Sequence, residues 1–190
     1  MVLEIVKYGH PVLRQPGAPI AEVDEDIRRF AADLVETMHA AEGVGLAAQQ
    51  VGRALQIFAL DVRGVKDRPS TLEIGGRPVD IATAMPMILI NPEVTPLNDP
   101  VTGPEGCLSF PEIYGDITRP ESVEVRALNE HGRAVQFRCG GLLAKAVQHE
   151  LDHLRGILFI DRMSAETRRA LQPELDALMA RTKTELARAR

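Results

Sequence analysis

"GLLAKAVQHELDHLRG", residues 141–156, decides the fold of this 190-residue chain. Leu142, Leu143, Ala146, Val147, His149, Glu150, His153 and Leu154 fall on one broad face at helical period, and Gly156 supplies a stop. The stretch predicts a helix with both histidines on its buried side. Only five histidines occur in the chain, so two of them four apart beside a glutamate call for a chemical reason. On a helix, residues four apart project over the same spot. His149 and His153 can therefore offer two imidazoles to one ion while Glu150 stands at its edge. A pair of satisfied core histidines with a salt-bridged glutamate is the plainer alternative.

A metal needs more than two ligands. "PEGCLSFPE" (104–112) offers Cys107 after Gly106, in a loop or at a strand end where a thiolate can be presented to an ion. Cys139, the only other cysteine, reads better as a small buried hydrophobe. Two histidines and one cysteine leave a fourth position for water, the arrangement of a catalytic rather than a structural site. The Glu150 carboxylate can take and return that water's proton. "EGVGLAAQQVG" (42–52) adds a glycine-rich turn that lets a backbone approach closely, and two glutamines able to donate to an oxyanion.

The surrounding chain is ordinary globular sequence. At 190 residues and 45% hydrophobic it can bury one core. The start "MVLEIVKYGHPVL" lacks a basic n-region and a long apolar run, so it does not read as a signal peptide, and no stretch approaches membrane-spanning length. Two cysteines without an export signal point to a reducing cytoplasm. A net charge of −5 argues against nucleic-acid binding by the whole surface.

"DEDIRRFAADLVETMHAAEG" (24–43) carries a helical stripe from Ile27 to Met38, with Asp24 or Asp26 as cap and Gly43 as terminator. "LQIFALDV" (55–62) and "MILINPEV" (87–94) read as strands, and residues 64–86 between them as a long Gly- and Pro-punctuated connection. "SVEVRALNEHGRAVQFRC" (122–139) reads as a hairpin turning at "NEHG". From Ser164 to Arg190 a final helical region is expected to break at Pro173, which can open a second segment. From Arg162 onward seven basic residues face four acidic ones, a net of +3. This tail can either offer its charge to a partner or pack Leu171, Leu175 and Leu178 on the body as a solvated helix.

Three stretches in this order, "GVGLAAQQ" (43–50), "EGCLS" (105–109) and "QHELDH" (148–153), resemble the three signature motifs of the peptide deformylases. The resemblance runs from about Leu3 to Arg162. It implies removal of the formyl group from the N-terminal formyl-methionine of new polypeptides. It implies an α+β fold of antiparallel or mixed sheets around a central helix that carries the histidines, to which our own reading adds the C-terminal helix. Residues 1–162 would form the catalytic domain, and 163–190 a helical extension of the same domain or an appendage.

Carried over residue by residue, the resemblance makes Cys107, His149 and His153 the ligands of one divalent metal. Fe(2+) is expected natively, and Zn(2+), Ni(2+) or Co(2+) in preparations. Glu150 becomes general base and acid. Gln50 and the backbone N–H of Leu108 become the oxyanion donors, with Gln49 at a variable position. Val44, Leu142, Ala146 and the ring of His149 would form the methionine slot, and the Gly45 backbone would pair with an extended peptide. Lys145 departs from the aliphatic residue found there in some relatives. Glu112 and Tyr114 are further residues that could face substrate. The partners implied are N-formyl-methionyl nascent chains and, through the basic tail, the ribosome, with no membrane.

Rival readings explain less. An H-E-x-x-H endopeptidase leaves Cys107 and "GVGLAAQQ" unexplained. An inactive ribosome-associated binding protein would not need every catalytic position intact, and a structural-metal protein lacks an obvious fourth ligand.

Overall fold

The computed structural model describes all 190 residues. Its elements in chain order are α1 (Glu25–Ala40), β1 (Gly45–Ala47), β2 (Ile57–Leu60), β3 (Ser70–Ile74), β4 (Arg77–Pro78), α2 (Ile81–Ala84) and β5 (Met87–Pro96). They continue with β6 (Pro100–Cys107), β7 (Phe110–Pro120), β8 (Ser122–Leu128), β9 (Ala134–Gly141), α3 (Leu142–Leu154) and α4 (Ala165–Arg188). Seven strands form one sheet in the order β1-β2-β5-β8-β9-β3-β4, and β6 and β7 pair as a separate hairpin. The fold is α+β. Its strand pairings are all antiparallel, apart from an isolated parallel bridge between Ala18 and Leu55, so the sheets are not mixed.

Strand alternation sets the layers. In β2, Phe58 and Leu60 point to the α3 side with Leu89, Val123, Val125 and Phe137. Ile57 and Ala59 point to the opposite face, with Ile88 and Ile90, against Ile27, Phe30, Leu34 and Met38 of α1. The sheet is covered on both faces, which is why β2 is apolar at every position. Helix α3 lies between the sheet and the β6–β7 hairpin, and of its 13 residues all but Lys145 are buried. Gly156 ends it at φ 74°, where a Cβ would stand 2.6 Å from the Arg14 carbonyl oxygen, so only glycine fits.

Three expectations need correction, and one hairpin has no counterpart among them. Helix α1 is capped by Asp24, which accepts from the Ile27 N–H, but it ends at Ala40, and the left-handed residue after it is Glu42 at φ 55° rather than Gly43. The Gly43 N–H closes the turn onto the Met38 carbonyl, and its missing Cβ leaves room for Leu108. The long connection 64–86 contains β3, β4 and α2: Gly75 and Gly76, both at positive φ, turn β3 back onto β4. The hairpin of β6 and β7 was not foreseen at all. Finally, α4 runs unbroken through Pro173. That ring is exposed, and the single lost backbone bond is outweighed by burial of Leu175 and Leu178 further along the same helix.

Candidate metal centre

Two local features bring the chemistry together. Helix α3 presents His149 and His153 one turn apart, with ring centroids separated by 5.2 Å. An irregularity in the β6–β7 pairing at Gly106 and Cys107 turns the end of β6 toward them. One ligand atom each from Cys107, His149 and His153 lies within 4.8 Å of the others, and the Cys107 Sγ is 3.4 Å from the His153 Nε2. The Nδ1 of His149 is engaged 3.0 Å from a Glu105 oxygen, which leaves its Nε2 for an ion.

Electrostatics fit a cation at that point. Burial, the largest influence on His149, favours the neutral ring, but its contacts with Cys107 and Glu105 outweigh this and raise its pKa well above the ordinary value. His153 is held well below the ordinary value, first by burial and then by the positive charges of His149 and Arg119. The surroundings thus favour positive charge at the imidazole pair, the place a dication would take. Burial also pushes the Glu150 carboxyl up to about 7, and its Oε2 is buried with no hydrogen-bond partner. A carboxyl titrating near neutrality, with one free oxygen beside the cluster, is suited to carrying a proton.

Behind the ligands lies a buried ionic network. Arg119 donates through Nε and Nη2 to both Glu105 oxygens at 2.7 and 3.0 Å, and through Nη1 to Asp152 at 2.9 Å. Arg162 also donates to Asp152. Burial works to raise the Glu105 pKa, but its hydrogen bonds from His149 and Arg119 bring it down to about 2, so it stays an anion. Sequence reasoning missed Glu105, Arg119 and Asp152 as members of the site. The signal was present: Ile113, Gly115, Ile117 and Arg119 are successive inward positions of β7, and an inward arginine requires buried acceptors.

The two glutamines separate cleanly. Both lie in the short 3-10 turn Ala48–Val51 that follows β1. The Gln50 Oε1 accepts from the Ala47 N–H at 3.0 Å, aiming its Nε2 at Cys107 Sγ (3.5 Å) and Ser109 Oγ (3.3 Å). Gln49 points elsewhere, donating to the Gln15 carbonyl at 3.3 Å. Leu108 follows Cys107 in the two-residue turn between β6 and β7.

A cleft of about 370 Å³ opens over the cluster, lined among others by Val44, Gly45, Gln50, Leu108, Leu142, Ala146, His149 and Glu150. Glu112, Tyr114 and Lys145 border the same cleft, as do Glu42 and Arg68, which the sequence did not single out. His153 lies beneath, buried behind Cys107. Cys139 lies apart in the core under α3, its thiol pushed up to about 12 by burial, so it is inert.

Three converging soft and borderline donors, an adjacent carboxylate and an open cleft define a metal-dependent hydrolase. The chain belongs to the polypeptide deformylase family, whose model matches residues 2–169. It is 44% identical over 180 residues to the peptide deformylase of Opitutus terrae, covering 94% of this chain and 93% of that one. It is also 44% identical over 178 residues to the enzyme of Methylacidiphilum infernorum, with the same coverage. Among solved structures, the peptide deformylase of Legionella pneumophila superposes with a TM-score of 0.78 at 31% identity, covering 100% of this chain and 99% of the other. Arabidopsis thaliana peptide deformylase 1B gives 0.81 at 32%, covering 96% and 93%. No helix of the protein is long and apolar enough to cross a membrane.

Proposed function

We propose that the protein removes the N-formyl group from the N-terminal formyl-methionine of newly made polypeptides, and that Cys107, His149 and His153 hold the divalent metal it uses. The observation that carries this reading is the convergence of those three donors beneath a cleft that Glu150 also lines. Fe(2+) is the native ion in this reading, while the donor set accommodates Zn(2+), Ni(2+) and Co(2+) equally well. Bound there, the ion supplies Lewis acidity and makes the attacking water acidic enough to react at neutral pH.

The chain's own residues do the rest. Glu150 takes the proton from the attacking water and returns it to the leaving amine nitrogen. The Gln50 amide and the Leu108 backbone N–H donate to the oxygen of the formyl group as it gains charge. Val44, Leu142 and Ala146 receive the methionine side chain, and the Gly45 backbone pairs with the extended peptide. Residues 1–162 act as the catalytic domain, with 163–190 as its helical extension, in a cytoplasmic enzyme. The partner surface we propose is the exposed part of α4, where Arg169, Arg181 and Lys183 reach solvent while Leu175 and Leu178 are buried. Ribosomal RNA is its target.

The deciding experiment compares hydrolysis of formyl-Met-Ala, acetyl-Met-Ala and a peptide with an internal Met-Ala bond, read as formate, acetate and a newly freed alanine amine respectively. Turnover of the first alone is expected, and cleavage of the internal bond would instead establish an endopeptidase. Cosedimentation with ribosomes at low and high salt tests the helix. Arg181→Glu combined with Lys183→Glu should abolish low-salt pelleting.

A further inference from the structure

Lys145 is a charged side chain of the cleft wall that has no partner in the protein. Leu142, Lys145, Ala146 and His149 lie at i, i+3, i+4 and i+7 on α3 and all border the cleft, so the lysine belongs to the wall that receives the first substrate side chain. Lys145 is half-buried, and its ammonium makes neither a hydrogen bond nor an ion pair within the protein. Its stem crosses from α3 to β6, and the ammonium stands where a Cβ on Gly103 would be. The missing side chain at Gly103 makes the room. Of the other charged groups of the cleft, Glu105 is bound to Arg119 and His149, Glu150 is buried and assigned above to proton transfer, and Arg68, Glu42 and Glu112 are exposed.

An ammonium is a strong hydrogen-bond donor, and a methionine thioether is a weak acceptor that gives it little. Oxidation of that sulfur creates a strong acceptor on the same side chain, an oxygen four bonds out from its Cα. An entirely apolar slot would reject it, because the sulfoxide oxygen would be stripped of water without compensation. The direction of the peptide also matters. In an extended chain pairing with β1, successive side chains alternate, so the residue after methionine points away from the α3 wall and Lys145 faces the first side chain.

We propose that Lys145, in the space left by Gly103, is a specificity residue that lets the site accept polypeptides beginning with N-formyl-methionine sulfoxide as well as N-formyl-methionine. The proposal rests on the deformylase reading above. The Lys145 ammonium donates a charge-assisted hydrogen bond to the sulfoxide oxygen and replaces the water lost on binding.

The test is formate release by the metal-loaded enzyme from formyl-Met-Ala-Ser and from the two sulfoxide epimers of the same peptide. The quantity read is the sulfoxide-to-thioether ratio of kcat/KM, in which any loss common to both substrates cancels. In the parent we expect a ratio within about tenfold of unity for one epimer, since a donor fixed on one wall distinguishes the two hands. Lys145→Met should lower that ratio by about tenfold or more and erase the epimer preference, while Lys145→Arg should keep both. Gly103→Ala, which retains the lysine but displaces its ammonium, should act like Lys145→Met and serves if that variant folds poorly. An unchanged ratio in both variants overturns the proposal. So does a Lys145→Met effect confined to peptides with aspartate at the third position, because the ammonium would then serve a downstream residue. Absence of formate from formyl-Met-Ala-Ser itself would count against the deformylase reading instead.

Discussion

The Nδ1 of His149 sits 3.0 Å from the Oε1 of Glu105, and the same carboxylate is gripped through both oxygens by Arg119. The pairing fixes the tautomer and angle of one proposed ligand, because a ring that donates from Nδ1 must present Nε2. Glu105→Gln should therefore weaken metal binding by about 10–100-fold, read by competition with a chelator. Arg119→Met should act on folding instead: it removes the buried guanidinium shared by Glu105 and Asp152 and leaves them only His149 and Arg162, at a cost of up to about 3–5 kcal/mol. Unaltered metal affinity in Glu105→Gln would mean that His149 is held by packing alone.

Glu150→Gln keeps the size of the side chain and removes its ability to take a proton. Metal content should stay at the parent level while kcat falls by roughly 10²–10⁴. Metal analysis and single-turnover rates on the same preparation separate the two effects, and near-full turnover would remove Glu150 from the mechanism.

Gln50 and Gln49 are adjacent but should fail differently. Gln50→Ala removes an amide aimed at the cluster, so kcat should fall by roughly 10²–10³ with little change in KM. Gln49→Ala removes a buried contact to Gln15 and should lower the melting temperature while sparing kcat. The reverse pattern would exchange their roles.

These two glutamines also mark how far the sequence could be read. The i, i+4 spacing of His149 and His153 and the glycine-rich turn before Gln50 are local signals, carried by helical period and backbone freedom. Choosing Gln50 over Gln49 came from the motif. Its structural basis, the Ala47 N–H that orients the amide, depends on how β1 runs into the turn. Non-local features stayed hidden. Pro100, Pro104, Pro111 and Pro120 interrupt the alternation that would have exposed the β6–β7 hairpin. Arg119 meets Asp152 across 33 residues of chain. Pro173 misled because a proline's ring position cannot be judged without knowing which face of the helix is buried.

Acid stability should carry the mark of Asp61. Burial favours its protonated form, but Arg63 and His39 hydrogen-bond to it and bring its pKa from 3.8 to about 2. The unfolded chain then binds the proton more tightly, so the stabilisation is complete above about pH 4 and is lost as pH falls toward 2. It amounts to about 2 kcal/mol at most, and less in salt because Arg63 and His39 are half exposed. Urea midpoints of the parent and Asp61→Asn, measured between pH 2 and 5, should converge toward the acid end. A constant gap across that range would show that Asp61 acts through packing rather than charge.

Gly45 is where the backbone of β1 and the side chain of Glu150 meet. A Cβ at this position would stand 2.7 Å from the Glu150 Oε1 and 2.9 Å from its Cγ, contacts that real Cβ atoms do not make. Gly45 has no positive φ, so the backbone tolerates alanine and the conflict is purely with the carboxylate. Glu150 is only 4% exposed and has little space to retreat, so Gly45→Ala should swing its oxygens off the line of the attacking water. A displacement of about 1 Å at a catalytic group is enough to cost roughly 10²-fold. We expect kcat to fall by about 10–100-fold with metal content unchanged. Gly64→Ala, where a Cβ meets nothing within 4 Å, is the control and should retain full activity. The split between kcat and KM is the informative readout, because Gly45 also borders the proposed peptide path. A raised KM with normal kcat would assign the glycine to peptide pairing alone, and would mean that the carboxylate works from a position clear of β1.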